Sequence, residues 1–278
     1  MYEELYKRGE TAGEAAERLM ELIRVLRSEN GCPWDRVQTH ESLRRDMIEE
    51  AYEAVDAVDR GNLADLEEEL GDVMLQVALH SGIAEENGEF TFASVANGVT
   101  DKMIRRHPHV FNVSEGKKIS DSNEKNIDNV LEKWENTKRV EHQEKTTTQS
   151  MQKIPRNFPA LIRAEKVQKK AARVGFDWDD VKGAFQKIGE EADELLEAYS
   201  NGDQVNMNEE IGDLLFAVVN AARFLGVDPE EALNRTSDKF IRRFGYMEEQ
   251  ALKVGTRPEE MTLEEMDKLW DEAKQMGK

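Results

Sequence analysis

An acidic pattern that occurs twice at fixed spacing constrains this chain more than any other feature. Glu49-Glu50-Ala51-Tyr52-Glu53 is followed, after a polar break at Arg60-Gly61-Asn62, by Glu69-Leu70-Gly71-Asp72. The order returns as Glu190-Glu191-Ala192-Asp193-Glu194, a break at Asn201-Gly202-Asp203, and Glu210-Ile211-Gly212-Asp213. In each copy 16 positions separate the last Glu of the first cluster from the Glu of the second (69 − 53 and 210 − 194). The copies lie 141 positions apart throughout (Glu53 to Glu194, Glu69 to Glu210). Other elements repeat in the same order. Asp101-Lys102-Met103-Ile104-Arg105-Arg106 has its twin in Asp238-Lys239-Phe240-Ile241-Arg242-Arg243, and Trp134 with Lys138 has its twin in Trp270 with Lys274. The chain is an internal duplication, and each half is expected to build the same site.

Composition sets the class. With 278 residues the chain is long enough for two domains, each burying its own core. Aromatic residues are 7% of the whole, Gly and Pro are sparse, and Glu, Lys, Ala and Leu abound, which favours an all-α fold over a sheet. A net charge of −20 argues against nucleic acid or an anionic membrane as partner, because both require a basic face. A phosphorylated small molecule remains possible if divalent cations neutralise the meeting of anions. The single cysteine, Cys32, excludes an intramolecular disulfide and fits a reducing compartment. No apolar run approaches a membrane span and the first residues are no signal peptide, so the expected location is the cytoplasm.

Periodicity places the helices. Ala15, Leu19, Leu22, Ile23 and Leu26 form an apolar stripe over 11–30, broken by Gly31-Cys32-Pro33-Trp34-Asp35. A helix from about Glu41 carries the first acidic cluster and stops near Gly61. The next is capped by Asn62 or Asp65 and extends to about His80, with a looser pattern from Gly82 to Gly88. A fourth runs from about Phe92 to Arg106, where His107-Pro108 ends it. Residues 111–125 read as a loop, and Ile127, Val130, Leu131 and Trp134 mark another helix. The charged, Thr-rich stretch from Lys138 to Thr148 lacks periodicity and reads as a linker. The expected organisation is a domain over 1–140, a linker over 141–155 and a second domain over 156–278. In that second half a helix with Leu161, Ala164, Val167 and Ala171 precedes a break at Val174-Gly175-Phe176-Asp177-Trp178. The acidic helices then run roughly over 181–200 and 205–225, a basic helix begins at Asp228-Pro229, and a last helix carries Trp270.

Residues three apart share a helix face, so Glu191 pairs with Glu194 and Glu210 with Asp213. Two antiparallel helices would bring the four carboxylates onto one small volume, where they repel unless a cation lies between them. An oxygen-only ligand set suits Mg²⁺ or Mn²⁺ rather than zinc. Gly212 leaves room for close approach, and Glu190 is placed to hold a water beside the metal. The alternative is a merely solvated acidic face. Against it stand the exact recurrence of the spacing and the apolar Leu214-Leu215-Phe216 stripe beside it. Lys239, Arg242 and Arg243 form a compact cationic face suited to phosphate oxygens, or to ion pairs with nearby Glu. Trp178 and Trp270 are candidates to stack on a base, against core packing. His40, His80, His107 and His109 make no zinc set, Cys32 has no His partner, and no Gly-rich phosphate loop is present.

Glu-Glu-x-x-Glu followed by Glu-x-x-Asp resembles the metal signature of the all-α nucleoside triphosphate pyrophosphohydrolases. Gly31-Cys32-Pro33-Trp34-Asp35, Gln38-Thr39-His40, Ser42-Leu43, Pro159-Ala160-Leu161, Ala171 to Trp178 and Leu269-Trp270 resemble the two-domain MazG branch in particular. The resemblance covers nearly the whole chain. It implies two tandem helical-bundle domains and Mg²⁺-dependent hydrolysis of nucleoside triphosphate to monophosphate and pyrophosphate, clearing unwanted nucleotides. It also implies a homodimer whose C-terminal domain is the main active one. Carried onto this chain, it makes Glu191, Glu194, Glu210 and Asp213 metal ligands supported by Glu190. Lys239, Arg242 and Lys274 become phosphate contacts, with Trp270 near the site. Glu50, Glu53, Glu69 and Asp72 are the matching set in the first half. Arg44-Arg45-Asp46-Met47 departs from the more apolar lead usual before the first Glu pair. A rival expectation is a non-catalytic helical dimer that binds metal or nucleotide and regulates a partner.

Overall fold

The computed structural model describes residues 2–111 and 145–277, together with Thr137 and Glu141 between them. Among these residues all regular structure is helical. The chain divides into two compact units, 1–138 and 139–278. The expected helix at 127–134, the loop before it, and Lys138 lie outside the described residues.

In the first unit α1 (Ala12–Arg27) starts at a capping box, with the Thr11 hydroxyl and the Glu14 carboxylate exchanging bonds with each other's backbone N–H. A single turn, α2 (Pro33–Arg36), follows. The acidic helices are α3 (Arg44–Asp59) and α4 (Leu63–Glu86). Between them Gly61 adopts a left-handed φ of 66°, open to glycine at little cost, and Asn62 caps α4. The expected end near His80 is overturned: α4 continues to Glu86, with Gly82 inside it. A Cβ on Gly82 would stand 2.6 Å from Ile23 Cγ2, so this glycine lets α4 approach α1 rather than break the helix. Helix α5 (Phe92–Arg106) and a last turn, α6 (Pro108–Phe111), follow. The core seats Met20, Ile23, Leu43, Ala78, Leu79 and Ile83.

In the second unit the stretch expected as linker, 141–155, is partly helical. Helix α7 (Thr147–Gln152) is capped by Thr146 and buries Ser150, whose Oγ accepts from Lys170 Nζ at 2.5 Å; Ile154 is buried beyond it. Its low apolar content hid it from periodicity. Helix α8 (Ala160–Ala172) leads to the acidic pair α9 (Val181–Asn201) and α10 (Gln204–Phe224). Gly202, with φ 68°, and the Asp203 cap turn one into the other. Helices α11 (Pro229–Lys253) and α12 (Leu263–Gln275) pack together at the end of the chain. No helix among the described residues is long and apolar enough to cross a membrane.

Candidate metal and nucleotide site

The turn glycines explain why the carboxylates meet. Glu194 lies eight residues before Gly202 and Glu210 eight after it (202 − 194 and 210 − 202); Glu191 and Asp213 lie eleven either side. Glu53 and Glu69, then Glu50 and Asp72, stand at the same distances from Gly61. In an antiparallel hairpin with a rise of about 1.5 Å per residue, equal arms bring each pair to the same height, roughly 12 and 16 Å from the turn. Sequence spacing thus becomes a convergence in space.

Ligand atoms of Glu191, Glu194 and Glu210 lie within 4.8 Å of one another, and so do those of Glu50, Glu69 and Asp72. Three of the expected four therefore meet in each half, leaving out Asp213 in one and Glu53 in the other. Both still make themselves felt. Loss of hydration pushes the Glu210 carboxyl above its ordinary value, and the charges of Glu194, Glu191 and Asp213 push it further. Burial followed by Asp72, Glu53 and Glu69 does the same to Glu50, and burial followed by Glu53 and Asp72 to Glu69. Carboxylates held together against their own repulsion, offering only oxygen, are a fitting donor set for a hard divalent cation.

Lys187 was missed by the motif reading. Its Nζ lies 2.6 Å from Glu191 Oε1 and 3.6 Å from Glu190 Oε2. The bond to Glu191 holds the ammonium pKa above the ordinary lysine value, and the charges of Glu191, Glu194 and Glu190 reinforce it. Glu191 is only 5% exposed, so the lysine compensates a buried charge. The i, i+4 spacing was the available signal. The first half has Asp46 at the matching position, 141 residues earlier. Glu190 is also held by Gln186 Nε2, at 3.0 Å.

A pocket of about 520 Å³ adjoins the second carboxylate set, and Glu191, Asp213 and Lys187 belong to its wall. Phe176, Trp178 and Phe216 supply aromatic surface. The Trp178 indole lies on Gly183, where a Cβ would fall 1.4 Å from its Cδ1. Trp178 therefore stands in the pocket wall, packed on α9. The other expected substrate contacts lie on α11 and α12, and none of them lines this pocket. Arg243 packs its guanidinium over the Trp270 ring, 5.8 Å from the centroid, and Trp270 is 4.9 Å from Phe240. Lys274 pairs with Asp271 at 2.8 Å. Lys239 and Arg242 lie on the same α11 segment.

Comparison with known proteins covers both acidic hairpins. The MazG nucleotide pyrophosphohydrolase domain matches residues 38–111 and 181–246, once over each acidic hairpin. The nucleoside triphosphate pyrophosphohydrolase/pyrophosphatase MazG of Thermotoga maritima is 44% identical over 95% of this chain and 97% of its own length. The nucleoside triphosphate pyrophosphohydrolase of Escherichia coli K12 is 40% identical over 93% of this chain and 96% of its own. An uncharacterized protein of Bacillus subtilis, YabN, is 49% identical over 91% of this chain, which spans half of YabN's length. With both hairpins matched and relatives aligned nearly end to end, this chain belongs to the MazG nucleotide pyrophosphohydrolase family.

Proposed function

We propose that this protein is a nucleoside triphosphate pyrophosphohydrolase, converting a ribo- or deoxyribonucleoside triphosphate and water to the monophosphate and pyrophosphate. The observation that carries this reading is the wall of the second unit, where Glu191 belongs both to the converging carboxylates and to an aromatic-lined pocket, with Asp213 beside it in the same wall. A ligand whose flat apolar end enters the pocket has its charged end at the carboxylates. Mg²⁺ is the expected ion, with Mn²⁺ a working substitute; when bound it supplies Lewis acidity and neutralises phosphate charge. Glu191, Glu194, Glu210 and Asp213 would hold it in the second unit, and Glu50, Glu53, Glu69 and Asp72 in the first. Lys187 pairs with Glu191 and orients it, and Glu190, steadied by Gln186 and Lys187, is assigned to orient a water. Trp178 forms a wall for the base. Lys239 and Arg242, supported by Arg243, Trp270 and Lys274, are assigned to charge developing on the leaving pyrophosphate.

The second unit is assigned the main turnover. At three pocket-wall positions, Ala184, Ala217 and Asn220, the first unit carries Leu43, Gln76 and Leu79, larger or apolar and all buried. This favours a metal-binding first unit without room for a nucleoside. A homodimer fits the exposed apolar side chains of Phe185, Leu196, Tyr199, Ile211 and Leu215 on α9 and α10, which a second copy would cover. A cytoplasmic housekeeping role, clearing unwanted nucleotides, is consistent with a free Cys32 and an acidic surface.

The test is pyrophosphate release from a panel of ribo- and deoxyribonucleoside triphosphates with Mg²⁺, comparing wild type, Glu53→Gln and Glu194→Gln. Loss confined to Glu194→Gln supports catalysis in the second unit. Absence of pyrophosphate from every substrate would leave only a metal-binding dimer.

A further inference from the structure

The pocket wall contains a side-chain amide that the protein has oriented and left half used. Asn220 Oδ1 accepts two bonds from Arg223, from Nε at 3.0 Å and from Nη2 at 2.7 Å. Arg223 Nη2 also lies 2.5 Å from Asp177 Oδ1, an ion pair in which both side chains are mostly buried. A guanidinium has donors and no acceptor, so the Asn220 amide can face it only with its oxygen. The nitrogen must turn the other way. Asn220 Nδ2, with two N–H donors, has no partner among the described residues, and the side chain is partly exposed. A neighbouring amide is fixed in the opposite sense: Gln168 Nε2 donates to the Phe216 carbonyl at 2.7 Å, leaving Oε1 buried without a partner. Of the two, Asn220 is the one exposed to an incoming ligand.

We propose that Asn220 is a specificity-determining residue, donating from Nδ2 to an exocyclic carbonyl oxygen of the bound nucleobase. Arg223 and Asp177 are positioning residues that act through it. The inference rests on the pyrophosphohydrolase reading and adds the atom that reads the base. Aromatic walls grip any base by its face and discriminate little. An oriented N–H donor distinguishes a carbonyl from an amino group at the same edge, because a donor facing a donor leaves both unpaired. The first unit has Leu79 at this position, so the duplication copied the carboxylates without copying the reader.

Asn220→Asp tests this with little disturbance, since the carboxylate still accepts from Arg223 while both N–H donors are gone. Pyrophosphate release is measured from ATP, GTP, CTP and UTP with Mg²⁺, for wild type and variant, with thermal melting of each. The preference between bases with a carbonyl at purine position 6 or pyrimidine position 4 (G, U) and those with an amino group there (A, C) is expected to change about tenfold. That change should be carried by KM, with the melting temperature unchanged or higher. Asp177→Asn, which loosens Arg223, should move the preference in the same direction by less. A uniform loss across all four substrates, from added negative charge or from misfolding, would overturn the assignment while leaving the enzyme reading standing. A wild type inactive on all four would overturn both.

Discussion

Gly183→Ala isolates the role of Trp178 without touching a carboxylate. A Cβ at residue 183 would fall 1.4 Å from Trp178 Cδ1, whereas ordinary contact begins at 3.4 Å, so the indole must retreat by about 2 Å. Two effects on stability oppose each other. Replacing a glycine in the first turn of α9 gains less than the roughly 1 kcal/mol of a helix interior, and overpacking costs about 1–3 kcal/mol. Trp178 is 39% exposed and can swing outward, which places the overpacking cost at the low end. The net change in stability should therefore be within about 1 kcal/mol, a few degrees in Tm at most. Recognition has no such compensation. A base stacked on an aromatic ring gains roughly 1–3 kcal/mol, and a ring displaced by 2 Å forfeits much of it. The expected result is a rise in KM of about 5- to 50-fold, with divalent-cation affinity unchanged and kcat less affected. The assays are steady-state pyrophosphate release, Mn²⁺ titration and thermal melting. An unchanged KM alongside a displaced tryptophan, seen as altered intrinsic fluorescence, would refute the placement of the base against Trp178.

Lys187→Met should lower the melting temperature in the presence of a chelator, because Glu191 is then buried without its cation. The lysine is itself partly exposed, so solvent screening limits the loss, and excess Mg²⁺ should restore most of it; an unchanged Tm in chelator would count against the pairing. Glu210 has its carboxyl pKa raised in the fold, so the metal-free protein gains stability from its protonation at low pH and loses that gain as pH rises through the folded value. The stabilisation conferred by Mg²⁺ should accordingly grow as pH rises from about 4.5, and Glu210→Gln should flatten that trend; equal slopes in both proteins would contradict it. His80 behaves in the opposite sense. Burial and the facing His40, at 2.7 Å between the Nδ1 atoms, lower its pKa below 6.5, so its contribution is present above that pH and is lost on acidification through the folded value. His80→Gln should weaken the acid sensitivity of the first unit, read by melting between pH 7 and 5. Leu196→Lys should shift the mass measured by light scattering from two chains to one if α9 and α10 form the dimer face.

The sequence determined the helical class, the duplication and the place of each acidic cluster, because these depend on local rules. Helix periodicity fixes which residues share a face, and Gly61 and Gly202 fix where each hairpin turns. With equal arms on either side, the convergence of Glu194 with Glu210, and of Glu50 with Asp72, follows from chain geometry alone. Only the tertiary structure decided the rest. That Gly82 lies within α4 rather than ending it depends on Ile23, which is 59 residues away in sequence (82 − 23). That Thr147–Gln152 forms a helix depends on packing that its composition does not advertise. The pocket is assembled from α7, α8, α9 and α10, and its character is set by side chains far apart in sequence, such as Gln168, Phe216 and Arg223. Lys187 joins the acidic site on a spacing shared with many solvated ion pairs, and only the burial of Glu191 sets it apart. The two halves repeat their carboxylates at identical spacing and differ in what surrounds them. Spacing along one hairpin is a one-dimensional property, whereas an open or filled pocket is settled by which side chains the neighbouring helices bring to the same volume.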